Sequence, residues 1–449
     1  MRRVLHVTRP WTAVLSRPLR DTTLRTALRS GSWALAGTAV GRVAHVAALL
    51  LAANRLGSAQ FGGLSLALST ALVVTSVSAL GLPVAVQKLV AEARDVDPVR
   101  RDRLIDLALG LTASVGFLTM IGGALTSVWV ADRILNQPAV GPLVAVASIF
   151  ILTTPMVEVL AAVLAALERF DMVGLFRAVY GCLCGAVLVI VLLSAPGAKE
   201  ALWGLAGAEA LTCVFGLRLL RSARGPRSIG RYLSVAHLTE AKSLLRISGP
   251  ALLAGISLQP SLWLGQVLLG RQSGGLEHIG TFAVAMRWHS IALFVPATMG
   301  SVLLPMLGRL RATGRDVDAR ALFVRYGVLT AVFSTTTGLG LIAFAGPIMG
   351  LQGAEYSRAS MVLVVLAVAT VPVALNNVLG SRALAEGRVA IWMWSDVALA
   401  AALAGGAIAL VPALNDVGLA AAYLTAYVVS CLVLLPIALA ARASKEEPT

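Results

Sequence analysis

Apolar residues in this chain do not recur with the 3.6-residue period of an amphipathic helix or the alternation of a half-buried strand. They fill unbroken runs, about twelve of which are roughly 20 residues long, the length of a helix that crosses a bilayer. The runs cover 31–53, 64–90, 104–130, 141–167, 175–194, 201–220, 244–269, 279–304, 321–346, 359–381, 389–411 and 417–440, with the shortest breaks at 195–200 and 412–416. A membrane β-barrel would alternate apolar and polar positions along short strands, and these runs do not. The pattern predicts an all-α polytopic membrane protein. Gly81-Leu82-Pro83, Pro155, Pro250, Pro260, Pro296, Pro372 and Pro436 fall inside runs. A proline removes a helical hydrogen bond, which a membrane tolerates where neighbours or cavity water satisfy the freed groups. Such breaks fit a protein that alternates between two shapes and also fit a static, kinked bundle.

Composition agrees: the 449 residues are 58% hydrophobic and 13% charged, against about 25% charged in soluble domains. The net charge of +15 would suggest nucleic acid if it were clustered, but it alternates between loops. One side holds the basic residues of the N-terminal tail, of 88–103, 169–177, 218–246, 309–325 and 382–388, and Arg442 and Lys445; the other holds Arg55, Arg133, Lys199, Arg271 and Arg358. About thirty against five is the positive-inside rule, so both termini are expected in the cytoplasm and nucleic acid is excluded as a partner. The excess also suits contact with anionic membrane lipid. Residues 1–30 lack the core and cleavage site of a signal peptide and read as a basic cytoplasmic tail. Cys182, Cys184, Cys213 and Cys431 lie within runs, without metal-ligand spacing, and read as small packing residues.

The two halves resemble each other. FGGLSLALS (61–69) matches IGTFAVAMR (279–287) at an offset of 218, TTP (153–155) matches TVP (370–372) at 217, and GLAGAEALT (204–212) matches GLAAAYLTA (418–426) at 214. Six spans per copy place both copies in the same orientation, a parallel repeat about an axis along the membrane normal. This predicts a tail (1–30), an N-lobe (31–220), a basic joint (221–243) lying on the inner face or serving as a solvated linker, a C-lobe (244–440) and a C-terminal tail (441–449).

Few polar groups lie at membrane depth. Arg42 sits mid-run in GSWALAGTAVGRVAHVAALLLAA and Arg287 in IGTFAVAMRWHSIALFVPATMGSVLL. An arginine at the centre of a membrane helix costs about 2.5–3.5 kcal/mol even on a lenient scale, so each should face a watery cavity or a structural partner such as Glu158 or Glu209. His45, three residues after Arg42, shares its face. Together these three are the candidate binding residues for something anionic. Glu158, Glu209 and Asp396 are candidates for coupling to a proton or cation gradient, with structural roles as the alternative. His289 reads as packing, and Asn376–Asn377 as repair of the backbone broken by Pro372.

The stretches RLGSAQFGGLSLALSTALVVTSVSALGLPVAVQKLVAE (55–92) and LLG…IGTFAVAMRWHSIALFVPATMGSVLLPMLGRL (268–310) resemble the polysaccharide-biosynthesis flippases of the multidrug/oligosaccharidyl-lipid/polysaccharide (MOP) superfamily. The resemblance covers nearly the whole chain beyond the tail. It implies two six-helix lobes of the MATE/flippase kind and movement of a polyprenyl-pyrophosphate-linked oligosaccharide across the cell membrane by alternating access. Arginines on the first and eighth spans often line the cavity of such proteins; Arg287 fits that pattern by motif, and Arg42 by span and depth. Some relatives couple to sodium or protons through acidic residues of later spans, where Asp396 is the nearest match. The resemblance implies a transporter without a resident cofactor, working as a monomer with its lipid-linked substrate, and glycan-assembly proteins as partners. An ion-coupled exporter of cationic drugs is the main alternative, although Arg42 and His45 should repel a cation. An integral-membrane enzyme of glycan assembly is the other: the sequence has no P-loop, dinucleotide fingerprint or catalytic triad, and its outer loops are short.

Overall fold

The structure, a computed structural model, describes residues 22–94, 96–224, 240–246, 248, 258–312 and 314–443. Most of the two tails, the centre of the basic joint, and 247 and 249–257 of the seventh run, Pro250 among them, lie outside these residues.

The described chain is helical: α1 Thr22–Ser78, α2 Leu82–Ala93, α3 Pro98–Trp129, α4 Phe150–Ala166, α5 Phe170–Ser194, α6 Ala198–Arg224, α7 Leu258–Gly270, α8 Gly275–Ala292, α9 Phe294–Ala312, α10 Asp316–Ala343, α11 Ser360–Ala385 and α12 Val389–Ala443. A short helix, Gly141–Ala147, precedes α4. Among the described residues eight segments are long and apolar enough to cross a membrane, and two of them, Leu35–Ser78 and Val389–Pro436, are 44 and 48 residues long. At 1.5 Å per residue each would reach about 65–70 Å, twice a bilayer, so each holds two spans. The breaks are at Gly57 (φ 75°) in α1 and Asn415 (φ 49°) in α12. A left-handed residue interrupts the α-helical ladder, and Gly57 adopts that region without a Cβ penalty. Asn415 lies in the shortest gap of the hydrophobic pattern, 412–416. Pro83 starts α2 after a turn at Leu80 and Gly81, whereas Pro155 and Pro372 lie inside continuous helices.

The packing differs between the two ends of the bundle. At the end poor in basic residues one apolar core runs across both lobes: Leu49, Phe61 and Leu64 of α1 share it with Ile279, Phe282 and Val284 of α8 and with Tyr356 and Leu366. Toward the basic end the cores separate. Leu82, Val86, Ile105, Leu160 and Phe176 form one, entirely from the first half apart from Leu244, while Leu303, Leu307, Ala319 and Val378 form another from the second half. Among the described residues the lobes are therefore fused at one end and parted at the other.

The fused seam carries its own bonds. The Ser58 N–H and Oγ donate to Glu355 Oε2 at 2.8 and 2.7 Å, Asn54 Nδ2 donates to the Leu351 carbonyl at 3.1 Å, and Tyr356 Oη donates to the Ala53 carbonyl at 3.1 Å. Gln137 Nε2 reaches the Gly270 carbonyl at 2.6 Å. Deeper in, Trp263 Nε1 donates to Thr70 Oγ1 at 3.0 Å. At Gly62 a Cβ would strike the Leu276 carbonyl, and at Gly280 the Ser58 carbonyl. These two glycines are equivalent in the repeat, at its offset of 218, and each is pressed against the other's helix.

Candidate functional site

Arg42 and Arg287 come from opposite lobes and lie at similar depth below the seam. Arg42 is 15 residues before Gly57 and Arg287 is 12 after Gly275, about 22 and 18 Å along their helices. The Arg42 guanidinium crosses to the other lobe, 5.9 Å from the centre of the Phe294 ring, within cation–π range. Phe294 follows Arg287 by seven residues at the junction of α8 and α9, and His45 follows Arg42 by three on α1. The structure thus brings all three predicted binding residues to one place, beneath the roof and where the lobes part. Arg42 is exposed and Arg287 half-buried. Among the described residues neither guanidinium has a carboxylate partner.

The two carboxylates expected as alternative partners are engaged elsewhere. Glu158 is gripped bidentately by Arg177, Nη1–Oε1 and Nη2–Oε2 both at 2.7 Å. It lies one turn after Pro155 and braces α4 to α5. Glu209 is buried, accepting from Thr153 Oγ1 at 2.5 Å, Thr154 Oγ1 at 3.2 Å and Tyr180 Oη at 2.9 Å. The Tyr180 ring stacks on His45, centroids 6.1 Å apart at 19°, so Glu209 stands one side chain behind the basic face. Asp396 lies in the C-lobe, half-buried and near Tyr427; no hydrogen bond or ion pair among the described residues joins it to the arginines.

His289 packs as expected: it is buried, with Nδ1 3.4 Å from Thr370 Oγ1 and its ring edge-on to Tyr423. Asn376 donates to Ser430 Oγ at 2.6 Å and ties α11 to α12, instead of mending the backbone at Pro372. Sequence reasoning missed Arg177 and Tyr180. It counted Arg177 as a loop residue because the fifth run was begun at 175; begun at Phe170, where the helix starts, it puts Arg177 two turns inside. Among the described residues no three His, Cys, Asp or Glu side chains gather as a metal site needs.

A cavity of about 650 Å³ opens on the opposite side of the seam, with Glu277, His278, Glu355, Arg358 and Asp416 in its lining. Its carboxylates give it the opposite polarity to the arginine cleft.

Solved structures share this architecture. An inward-facing multidrug resistance MATE family transporter of the MOP superfamily matches with a TM-score of 0.77 at 12% identity, covering 92% of this chain and 100% of that one. The lipid II flippase MurJ in an inward closed conformation matches with 0.75 at 13% identity, covering 90% and 86%. An outward-facing MATE transporter matches with 0.68 at 14% identity, covering 94% and 96%. The fold is that of the two-lobed MOP superfamily transporters. The family profile described as "Polysaccharide biosynthesis protein" matches residues 27–311, and the chain belongs to that family. The EPS I polysaccharide export inner membrane protein EpsE of Ralstonia nicotianae is 26% identical over 367 residues, 78% of each chain, and EpsE of Ralstonia solanacearum is 27% identical over 197 residues, 44% of this chain and 42% of that one.

Proposed function

We propose that this protein is an inner-membrane flippase that carries a polyprenyl-pyrophosphate-linked oligosaccharide from the cytoplasmic to the outer leaflet by alternating access. The observation that carries the reading is the pair of arginines, one from each lobe, without carboxylate partners among the described residues. A guanidinium presents a planar fork that fits phosphate oxygens, and two facing forks suit a pyrophosphate. The polyprenyl tail stays in the bilayer while the head group passes between the lobes. The positive-inside count puts both termini and the open side of the cleft in the cytoplasm, the side on which the substrate is made. Kinship with polysaccharide export proteins supports a transporter over an enzyme. The chain works as a monomer, beside the proteins that assemble the glycan, and Glu158, Glu209 or Asp396 couples transport to a proton or sodium gradient.

The test is surface-polysaccharide export in cells carrying Arg42→Ala or Arg287→Ala, each checked for correct insertion. Both variants are expected to lose export; normal export in both overturns the reading. One observation favours a second reading, export of cationic drugs: Glu209 is buried without a basic partner among the described residues. Drug resistance on overexpression that is lost in Glu209→Gln, with polysaccharide unchanged, would establish it.

A further inference from the structure

We propose that Arg177 is a third ligand for the anionic head group, and that Glu158 holds its place until substrate arrives. This inference rests on the flippase reading and adds to it a residue from α5.

Three observations converge on Arg177. The first is its level. A Cβ at Gly41 would collide with the Arg177 carbonyl, so the backbone beside Arg42 touches the backbone of Arg177. The second is its direction. Arg177 and Tyr180 are three residues apart and share a helical side. Tyr180 stacks on His45, which itself shares a side of α1 with Arg42. The side chains at 42, 45, 177 and 180 thus flank one seam between α1 and α5. The third is exposure. The Arg177 side chain keeps 25% of its surface open and Glu158 keeps 46%. Both lie inside helices that cross the membrane, Arg177 about 10 Å from the start of α5 and Glu158 about 12 Å from the end of α4. Charges at such depth turn to water rather than lipid, and the parted lobes provide that water.

The pair is bidentate but part-exposed, Glu158 more than Arg177, so a competing anion can reach the guanidinium. A pyrophosphate brings several negative charges and many acceptor oxygens, and Arg–phosphate bonds are bidentate in the same way as the Arg177–Glu158 bond they replace. The arriving head group therefore displaces Glu158 from Arg177 and gains a third guanidinium. When it leaves, Glu158 closes on Arg177 again, which keeps the empty cleft from carrying a further uncompensated positive charge. The competing role for the pair is a fixed brace between α4 and α5 beside Pro155.

The experiment measures binding of undecaprenyl pyrophosphate to the purified full-length chain, with undecaprenol as the uncharged control, alongside the thermal unfolding midpoint. Glu158→Gln removes the competitor and is expected to bind roughly fivefold tighter, and Arg177→Ala roughly tenfold weaker. The decisive variant exchanges the pair, Arg177→Glu with Glu158→Arg. It restores the brace, so its unfolding midpoint should exceed that of Arg177→Ala, yet its binding should stay as weak. Wild-type binding by the exchanged pair, or no tightening in Glu158→Gln, overturns the assignment of Arg177. Arg287→Ala is measured beside them: if it binds as the wild type does, the arginine-cleft reading itself fails; if it loses binding while the exchanged pair does not, only the Arg177 proposal fails.

Discussion

At the scale of single residues, the chemistry follows from where charge finds a partner. Arg42 and Arg287 stood out in the sequence because a guanidinium inside an apolar run is energetically anomalous wherever it sits. Their isolation from Glu158 and Glu209 was not legible, because it depends on which helices become neighbours. Glu158 meets Arg177 on the next helix, and Glu209 meets Thr153, Thr154 and Tyr180 from two others. Removing one donor from the buried Glu209 leaves its desolvation uncompensated. Tyr180→Phe is expected to destabilise the protein by about 1–3 kcal/mol, read as a lower thermal unfolding midpoint, while the ring still stacks on His45. An unchanged midpoint would mean that the Tyr180–Glu209 bond contributes nothing.

At the scale of helices, the hydrophobic runs located nearly every element, because a membrane span needs only length and apolarity. The runs could not show how closely helices approach. In α1 and α5, Gly41 and Gly181 let the two backbones touch: a Cβ on Gly181 would strike the backbone of Gly41. Small residues at such crossings are how membrane helices pack without a hydrophobic driving force between them. Gly181→Val is expected to cost about 1–3 kcal/mol through overpacking, seen as poor yield and a lowered unfolding midpoint. Gly207→Ala, where a Cβ meets nothing within 4 Å, should be neutral. Equal behaviour of the two variants would contradict the described crossing. The internal repeat was legible for a related reason. Gly62 and Gly280 are equivalent residues facing each other across the seam, so the packing constraint on one is the constraint on the other.

At the scale of the whole molecule, the lobes close at one end and part at the other, a conformational state that no sequence pattern displays. Glu355 is an exposed residue of the closure. The Ser58 N–H and hydroxyl hold its carboxyl below the usual carboxylate range, so the bond belongs to the ionised form. Its contribution is fully present above the ordinary carboxylate range and is lost as pH falls through the lower value of the bonded group. The seam should therefore be insensitive to pH near neutrality and loosen only in acid, and Glu355→Gln should loosen it at every pH. Distances between spin labels at 54–60, around the break in α1, and at 351–358 check this; acid loosening that survives unchanged in Glu355→Gln would assign it to another group. Transbilayer movement in proteoliposomes of the purified protein shows whether two arginines from opposite lobes carry a pyrophosphate across. A polyprenyl-pyrophosphate-linked sugar should cross with the wild-type protein and fail to cross with Arg42→Ala or Arg287→Ala, and Arg287→Lys, which keeps the charge but not the fork, should fall between; wild-type rates in both alanine variants would contradict the account.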